Sequence, residues 1–246
     1  ARWGTWEQNA SNVFTMLEHR FDNEWRIKLH LLRQVSGYDM AIASASAGNP
    51  NPLDGSGVSL WRYNFTGKTR TDTAELFAAG PLWLFDRKHE LIVGGRISRR
   101  DWRNDSFDVD PTGPGTSNIV SDFYNWTGNI PQPRLLPVPT DSNREVHDEN
   151  GVYVATRLNV HDRLKVLLGA RVADYEANRL NWGVSSRLKK SGQVIPYYGA
   201  VFDLTDALSA YASYTGIFMP QTAQNEQGAT LPPLEGINTE YGLKAA

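Results

Sequence analysis

Apolar and polar residues alternate with a period of two along much of the chain. In WRIKLHLLR, Trp25, Ile27, Leu29 and Leu31 fall on one parity, and Arg26, Lys28 and His30 on the other. In DRKHELIVGGRISRRDW (residues 86–102), Leu91, Val93, Gly95 and Ile97 oppose Arg96, Ser98 and Arg100. VYVATRLNV sets Val152, Val154, Leu158 and Val160 against Tyr153, Arg157 and Asn159. LKVLLGARVADY sets Leu164, Val166, Leu168, Ala170 and Val172 against Lys165, Gly169 and Arg171. Successive side chains of a strand point to opposite faces, so each segment predicts a strand with one apolar and one polar face. A helix would space its apolar residues by three and four, and no segment does so for three turns.

The connections carry a second pattern. Segments 11–20 and 24–46 meet at FDNE, 58–85 and 88–103 at FDRK, 141–161 and 163–182 at HDR, and 193–203 and 207–218 at LTD. These are short polar turns, each containing Asp, which readily adopts turn conformations. Between the hairpins lie connections rich in Gly, Pro, Asn and Ser, at 47–57, 104–140, 183–192 and 219–236. Short and long connections therefore alternate, and about nine strands are expected.

Several of these strands exceed the roughly 9–11 residues that cross a bilayer at a tilt. Amphipathic strands with short turns at one end and long loops at the other describe a transmembrane β-barrel. In that fold the apolar row faces lipid and the arginine row faces the lumen. A soluble up-and-down barrel is the structural alternative; it would turn the apolar row inward and the charges outward. Nine is an odd number, whereas single-chain bacterial barrels have even counts. Unpaired sheet edges in hydrocarbon would also leave backbone groups unsatisfied. The expectation is an all-β protein forming one arc of a larger antiparallel barrel, with residues 1–246 a single partial barrel domain.

Composition narrows the function. Apolar residues make up 40% of the 246, and no run approaches the roughly 18 apolar residues of a spanning helix. A net charge of -2 argues against nucleic acid as a partner. The absence of cysteine excludes disulfides and thiolate metal sites, and fits an oxidising compartment. The five histidines (His19, His30, His89, His147 and His161) show no zinc-ligand spacing on one element. The neighbours His147, Asp148 and Glu149 would point to alternate sides of a strand. TGKT at residues 66–69 echoes a phosphate loop, but Arg62 stands where the leading Gly is needed. DVD at residues 108–110 reads as a solvated loop before it reads as a calcium site. No nucleophile–base constellation is present, so neither an enzyme nor a resident cofactor is expected.

The run YYGAVFDLTDALSAYASYTGIFMPQ (residues 197–221), followed by LPPLEGINTEYGLK (231–244), resembles the late-barrel signature of TonB-dependent siderophore receptors. Phe202 and Thr239 stand where that signature usually has Tyr. DRKHELIVGG and YNWTGNIPQP (124–133) resemble a hairpin and a loop of the same family, with the ferric hydroxamate and pyoverdine-type receptors the nearest subgroup. The resemblance implies a bacterial outer-membrane barrel of about 22 strands closed by a plug. It also implies uptake of a ferric siderophore energised through the TonB complex, with outer-membrane lipid around the barrel. Iron would arrive as a preformed chelate, so no protein ligand to iron is expected. The chain carries nothing resembling the plug, the TonB-contacting box or the terminal aromatic strand, so coupled uptake is not expected of this stretch alone.

Two groups of residues are candidates for the site. Arg96, Arg100, Arg157 and Arg171, with Lys165, would line the lumen, touching the plug or simply hydrating the interior rather than gripping the ligand. Trp102, Tyr124 and Trp126, at a strand end and on the long loop, offer flat rings to a bulky chelate, although aromatic residues near strand ends also form interfacial girdles. Two rival functions remain at this stage: a passive porin-like or structural barrel, and a soluble β-protein that binds carbohydrate.

Overall fold

In the computed structural model, which describes residues 1–221, 223–228 and 231–245, the chain forms one antiparallel sheet and no helix. Its strands are β1 (Thr5–Arg20), β2 (Arg26–Ala47), β3 (Val58–Leu84), β4 (Arg87–Phe107), a two-residue β5 (Ile119–Val120), β6 (Asp141–His161), β7 (Leu164–Asn181), β8 (Val184–Thr205), β9 (Leu208–Met219) and β10 (Leu234–Ala245). Every long strand pairs with its neighbour in sequence, in the order β1-β2-β3-β4-β6-β7-β8-β9-β10, while β5 pairs with the start of β3. The short turns oblige β1–β2, β3–β4, β6–β7, β7–β8 and β8–β9 to pair as hairpins, and the longer connections return the chain to the adjacent edge, which completes the meander.

The turns explain themselves locally. Phe85 and Asp86 join β3 to β4 with φ of 51° and 56°. Positive φ at both central residues is the hairpin geometry whose twist matches the flanking strands.

The expected long connection at 183–192 is absent. β7 and β8 are instead joined by Trp182 and Gly183, with φ of 49° and 73°, and β8 begins at Val184. The sequence Asn-Trp-Gly supplies this tight turn. The second glycine of the segment, Gly192 (φ 67°), serves a register shift beside Asp174, whose Oδ1 accepts its N–H at 2.8 Å. The polar stretch SSRLKK therefore lies in a strand, one that carries polar side chains on both faces. The other limits are wider than the alternation indicated: β1 starts at Thr5, and β4 continues to Phe107. TGKT lies inside β3, so it forms no phosphate loop.

Cross-strand register sorts the side chains into two faces. One row runs Leu17, Leu29, Leu76, Gly95, Val152 and Val172, all directly opposite one another across six strands. Its large members are solvent-accessible in the isolated chain, Leu76 at 53% and Val152 at 63%. Buried apolar residues are few among the described residues. Apolar surface this extensive on one sheet face is what a lipid-facing wall requires and what a soluble barrel would enclose. Nearer the long loops, the same face changes character. The row Val13, Arg33, Asp72, Arg99, Asp148 and Glu176 is charged from β2 onward.

The opposite face is polar and interlocked. Tyr153 lies over Gly94 of the next strand, where a Cβ would sit 2.6 Å from its ring and 2.7 Å from Phe77 Cβ. Tyr38 covers Gly67 in the same way and donates to Asn104 Oδ1 at 2.6 Å.

Candidate functional site

The register places Arg96, Arg100, Arg157, Arg171 and Lys165 on this polar face. They are not equivalent. Arg157 pairs with Glu90 at 3.2 Å, Lys165 with Asp203 at 3.0 Å, and Arg171 with Glu149. Arg96 lies opposite Glu75 in register, but the Glu75 carboxylate accepts the Tyr153 hydroxyl at 3.0 Å. Arg100 lies opposite His147, which contacts Glu145 and meets the Tyr175 hydroxyl at 3.1 Å. Among the described residues, Arg96 and Arg100 make no ion pair, and both are exposed. Local carboxylates thus form ion pairs with three of the five cations, while Arg96 faces Glu75 and Arg100 acts on Glu145 only at longer range.

Trp102 sits on the same face five residues before the end of β4, half-buried between Thr69 and Glu145 in register. Alternation along β3 puts Trp61, Tyr63 and Phe65 on this face too, as a ladder with ring centroids 4.3 Å and 5.7 Å apart. The polar face is therefore lined with aromatic rings at its long-loop end. The ladder was not among the candidates read from sequence. Its signal is WRYNF, three aromatic residues at a spacing of two inside a strand.

Tyr124 and Trp126 belong to a different structure. The loop between β4 and β6 folds back so that β5 pairs with β3. Val58, Leu60 and Val120 form a small buried cluster against which Trp126 and Ile130 pack. Val58 and Leu60 have the opposite parity to Trp61 and Tyr63, so Trp126 packs on the side of β3 away from the aromatic ladder. Arg62 is buried beside this cluster and donates to the carbonyls of Gly115 and Thr116, the latter at 2.7 Å. Asp122 caps the next turn by accepting the N–H groups of Tyr124 and Asn125 at 3.0 Å and 3.1 Å. Phe123 stacks on Trp126 at 6.1 Å, while Tyr124 is 60% exposed. The structure thus brings Tyr124 and Trp126 into one loop fold and leaves Trp102 on the strand wall, with no ring contact between them among the described residues.

Asp110, from the DVD stretch, clips the same loop. Its carboxylate accepts from the Thr112 hydroxyl at 2.7 Å, the Thr112 N–H at 2.8 Å and Arg134 Nε at 2.8 Å. The Thr112 bonds first, then Arg134, hold this carboxyl below its usual range.

The TonB dependent receptor-like β-barrel family model matches residues 1–246. The chain is 36% identical over 246 residues to the ferripyoverdine receptor of Pseudomonas aeruginosa, covering 99% of this chain and 29% of that protein. It is 32% identical to the ferric-pyoverdine BN7/BN8 receptor of Pseudomonas putida, over 98% of this chain and 30% of that one. It superposes with a TM-score of 0.87 on the crystal structure of the P. aeruginosa outer-membrane receptor bound to ferripyoverdine, covering 99% of this chain and 31% of the receptor. The chain therefore spans about three tenths of the length of these relatives. An unbroken antiparallel meander, an exposed apolar face and a family match from end to end lead to one conclusion: this chain belongs to the β-barrel family of TonB-dependent receptors.

Proposed function

We propose that the chain is part of the wall of a bacterial outer-membrane receptor that takes up ferric siderophores of the pyoverdine class, energised through TonB. The observation that carries this reading is the 36% identity to a ferripyoverdine receptor over 99% of the chain. The protein acts in this reading as a transporter, not an enzyme, and iron is cargo inside the chelate. The polar face is the lumenal wall, and the long loops lie outside the cell. Arg96 and Arg100 face the plug, while Arg157 and Arg171 are balanced by their own carboxylates.

Trp102, with the Trp61–Tyr63–Phe65 ladder, offers a stacking surface near the mouth, and Tyr124 offers a second from the loop. Trp126 supports ligand contact by holding that loop. The test is ferripyoverdine binding to the full-length receptor that contains this wall, compared with an unrelated ferric hydroxamate. Specific binding of ferripyoverdine that weakens in Trp102→Ala and Tyr124→Ala supports the assignment. Absence of ferripyoverdine binding by the parent protein overturns the function, and unchanged affinity in both variants overturns the site.

A further inference from the structure

The turn that carries Tyr124 rests on a second loop, the connection between β2 and β3. There Asn51 donates its N–H to Ser56 O at 2.7 Å and accepts the Gly55 N–H on its own carbonyl at 2.8 Å. The Asn51 and Asp54 side chains accept the Leu53 and Ser56 N–H groups, both at 2.9 Å. These bonds close the turn on itself, so it holds its shape without help from a neighbour. Within residues 51–56 only Gly55 is buried.

Gly55 is also the point of contact. Its carbonyl accepts the Phe123 N–H at 2.9 Å. A Cβ at this position would lie 2.5 Å from Asp122 Oδ1, 2.9 Å from Phe123 N and 3.1 Å from Tyr124 Cδ2, and the backbone φ is 70°. Glycine alone supplies both that conformation and so close an approach. The same Asp122 Oδ1 accepts the Tyr124 and Asn125 N–H groups, so the seat and the cap of the turn meet at one atom.

The far side of the segment is held as well. The Trp3 indole donates to Ile130 O at 3.1 Å, and the Arg2 N–H to Gly128 O at 3.3 Å. Between these anchors Tyr124 stays 60% exposed. An exposed ring on a segment fixed at both ends is ordered before a ligand arrives, which removes an ordering cost from binding. We propose that Gly55 is a positioning residue for the ferric siderophore: it seats the Asp122–Tyr124 turn so that the Tyr124 ring is presented to the chelate. The two connections then act on the ligand as one unit. The inference rests on the reading of Tyr124 as a ligand contact.

The test is a double-mutant cycle in the full-length receptor, read as ferripyoverdine affinity. Gly55→Ala is expected to weaken binding about tenfold in the parent and by less than about twofold in Tyr124→Ala. Leu53→Ala, in the same connection but with its side chain 94% exposed, is expected to leave affinity unchanged. Equal weakening by Gly55→Ala with and without the Tyr124 ring overturns the proposal, as does parent-like affinity in Gly55→Ala. Hydrogen exchange without ligand reads the seat by itself: the Phe123 amide should exchange faster in Gly55→Ala and as in the parent in Leu53→Ala. Unaltered exchange in Gly55→Ala overturns the seat while leaving the ligand reading of Tyr124 intact. Faster exchange together with parent-like affinity in Tyr124→Ala overturns that ligand reading, and the proposal with it.

Discussion

Two consecutive glycines in β4 show how much a face decides. Gly94 points to the polar side, where Tyr153 and Phe77 leave no room for a Cβ; Gly95 points to the apolar side, where a Cβ meets only ordinary contacts. Gly94→Ala must displace a ring or the neighbouring strand, an overpacking cost of about 1–3 kcal/mol. Gly95→Ala should stay within about 0.5 kcal/mol of the parent. Thermal denaturation of the full-length receptor, followed by its heat-modifiable gel mobility, checks the pair: a lowered midpoint for Gly94→Ala alone is the expected result. Trp126 and Tyr124 make a similar contrast two residues apart. Trp126→Ala removes the half-buried ring that packs against Val58, Leu60 and Val120, at a local cost below the roughly 3–5 kcal/mol of a fully buried aromatic. Proteolysis of the 108–140 loop should therefore accelerate in Trp126→Ala and remain unchanged in Tyr124→Ala. Ferripyoverdine affinity is expected to fall in both variants.

At the scale of elements, the strands were legible wherever one face meets lipid and the other does not. Leu91–Val93–Ile97 against Arg96–Arg100 could be assigned because two environments impose two compositions. That contrast reverses toward the long loops, where the face that carries the apolar row turns charged and the other carries rings. Asp101, Arg103 and Arg144 then stand on the formerly apolar face with Trp102 on the other, and SSRLKK reads as a loop although it is the start of β8. The loop site was legible only in part, because Trp126 packs through non-local contacts with Val58 and Leu60 that no local pattern records.

The loop also carries a pH dependence. Asp110 is held below its usual range by Thr112 and then Arg134, so its clip is fully present above the ordinary carboxylate pKa of about 3.9 and is lost only as pH falls through the depressed value. Hydrogen exchange of the Asp110 and Thr112 amides should therefore show constant protection from neutral pH down through the ordinary carboxylate range, after correction for intrinsic rates, and a loss below it. In Asp110→Asn the loss in strong acid should disappear, and protection at neutral pH should be lower throughout.

On the scale of the whole receptor, this wall must match whatever fills the barrel. Among the described residues, the polar face pairs Arg157, Arg171 and Lys165 with its own carboxylates, whereas Arg96 and Arg100 form no ion pair and meet Glu75 and Glu145 only at longer range. Both lie on the wall below Trp102, towards the short turns, so the proposed lumenal plug is nearer to them than the ligand at the mouth. Removing both charges as Arg96→Gln with Arg100→Gln should loosen the plug rather than the ligand site. Protease access to the plug, or its release by urea, is expected to rise, while ferripyoverdine affinity changes by less than about threefold, within the range of an exposed charge contact. Arg157→Gln is the comparison, because its exposed pair with Glu90 is worth at most about 1 kcal/mol and should leave both readouts near the parent. A fall of about tenfold in affinity with plug protection intact would move Arg96 and Arg100 from the plug interface to the ligand path. High salt supplies an independent check: if the two arginines hold an acidic plug surface, raising ionic strength should reproduce the plug loosening in the parent and add little in the double variant.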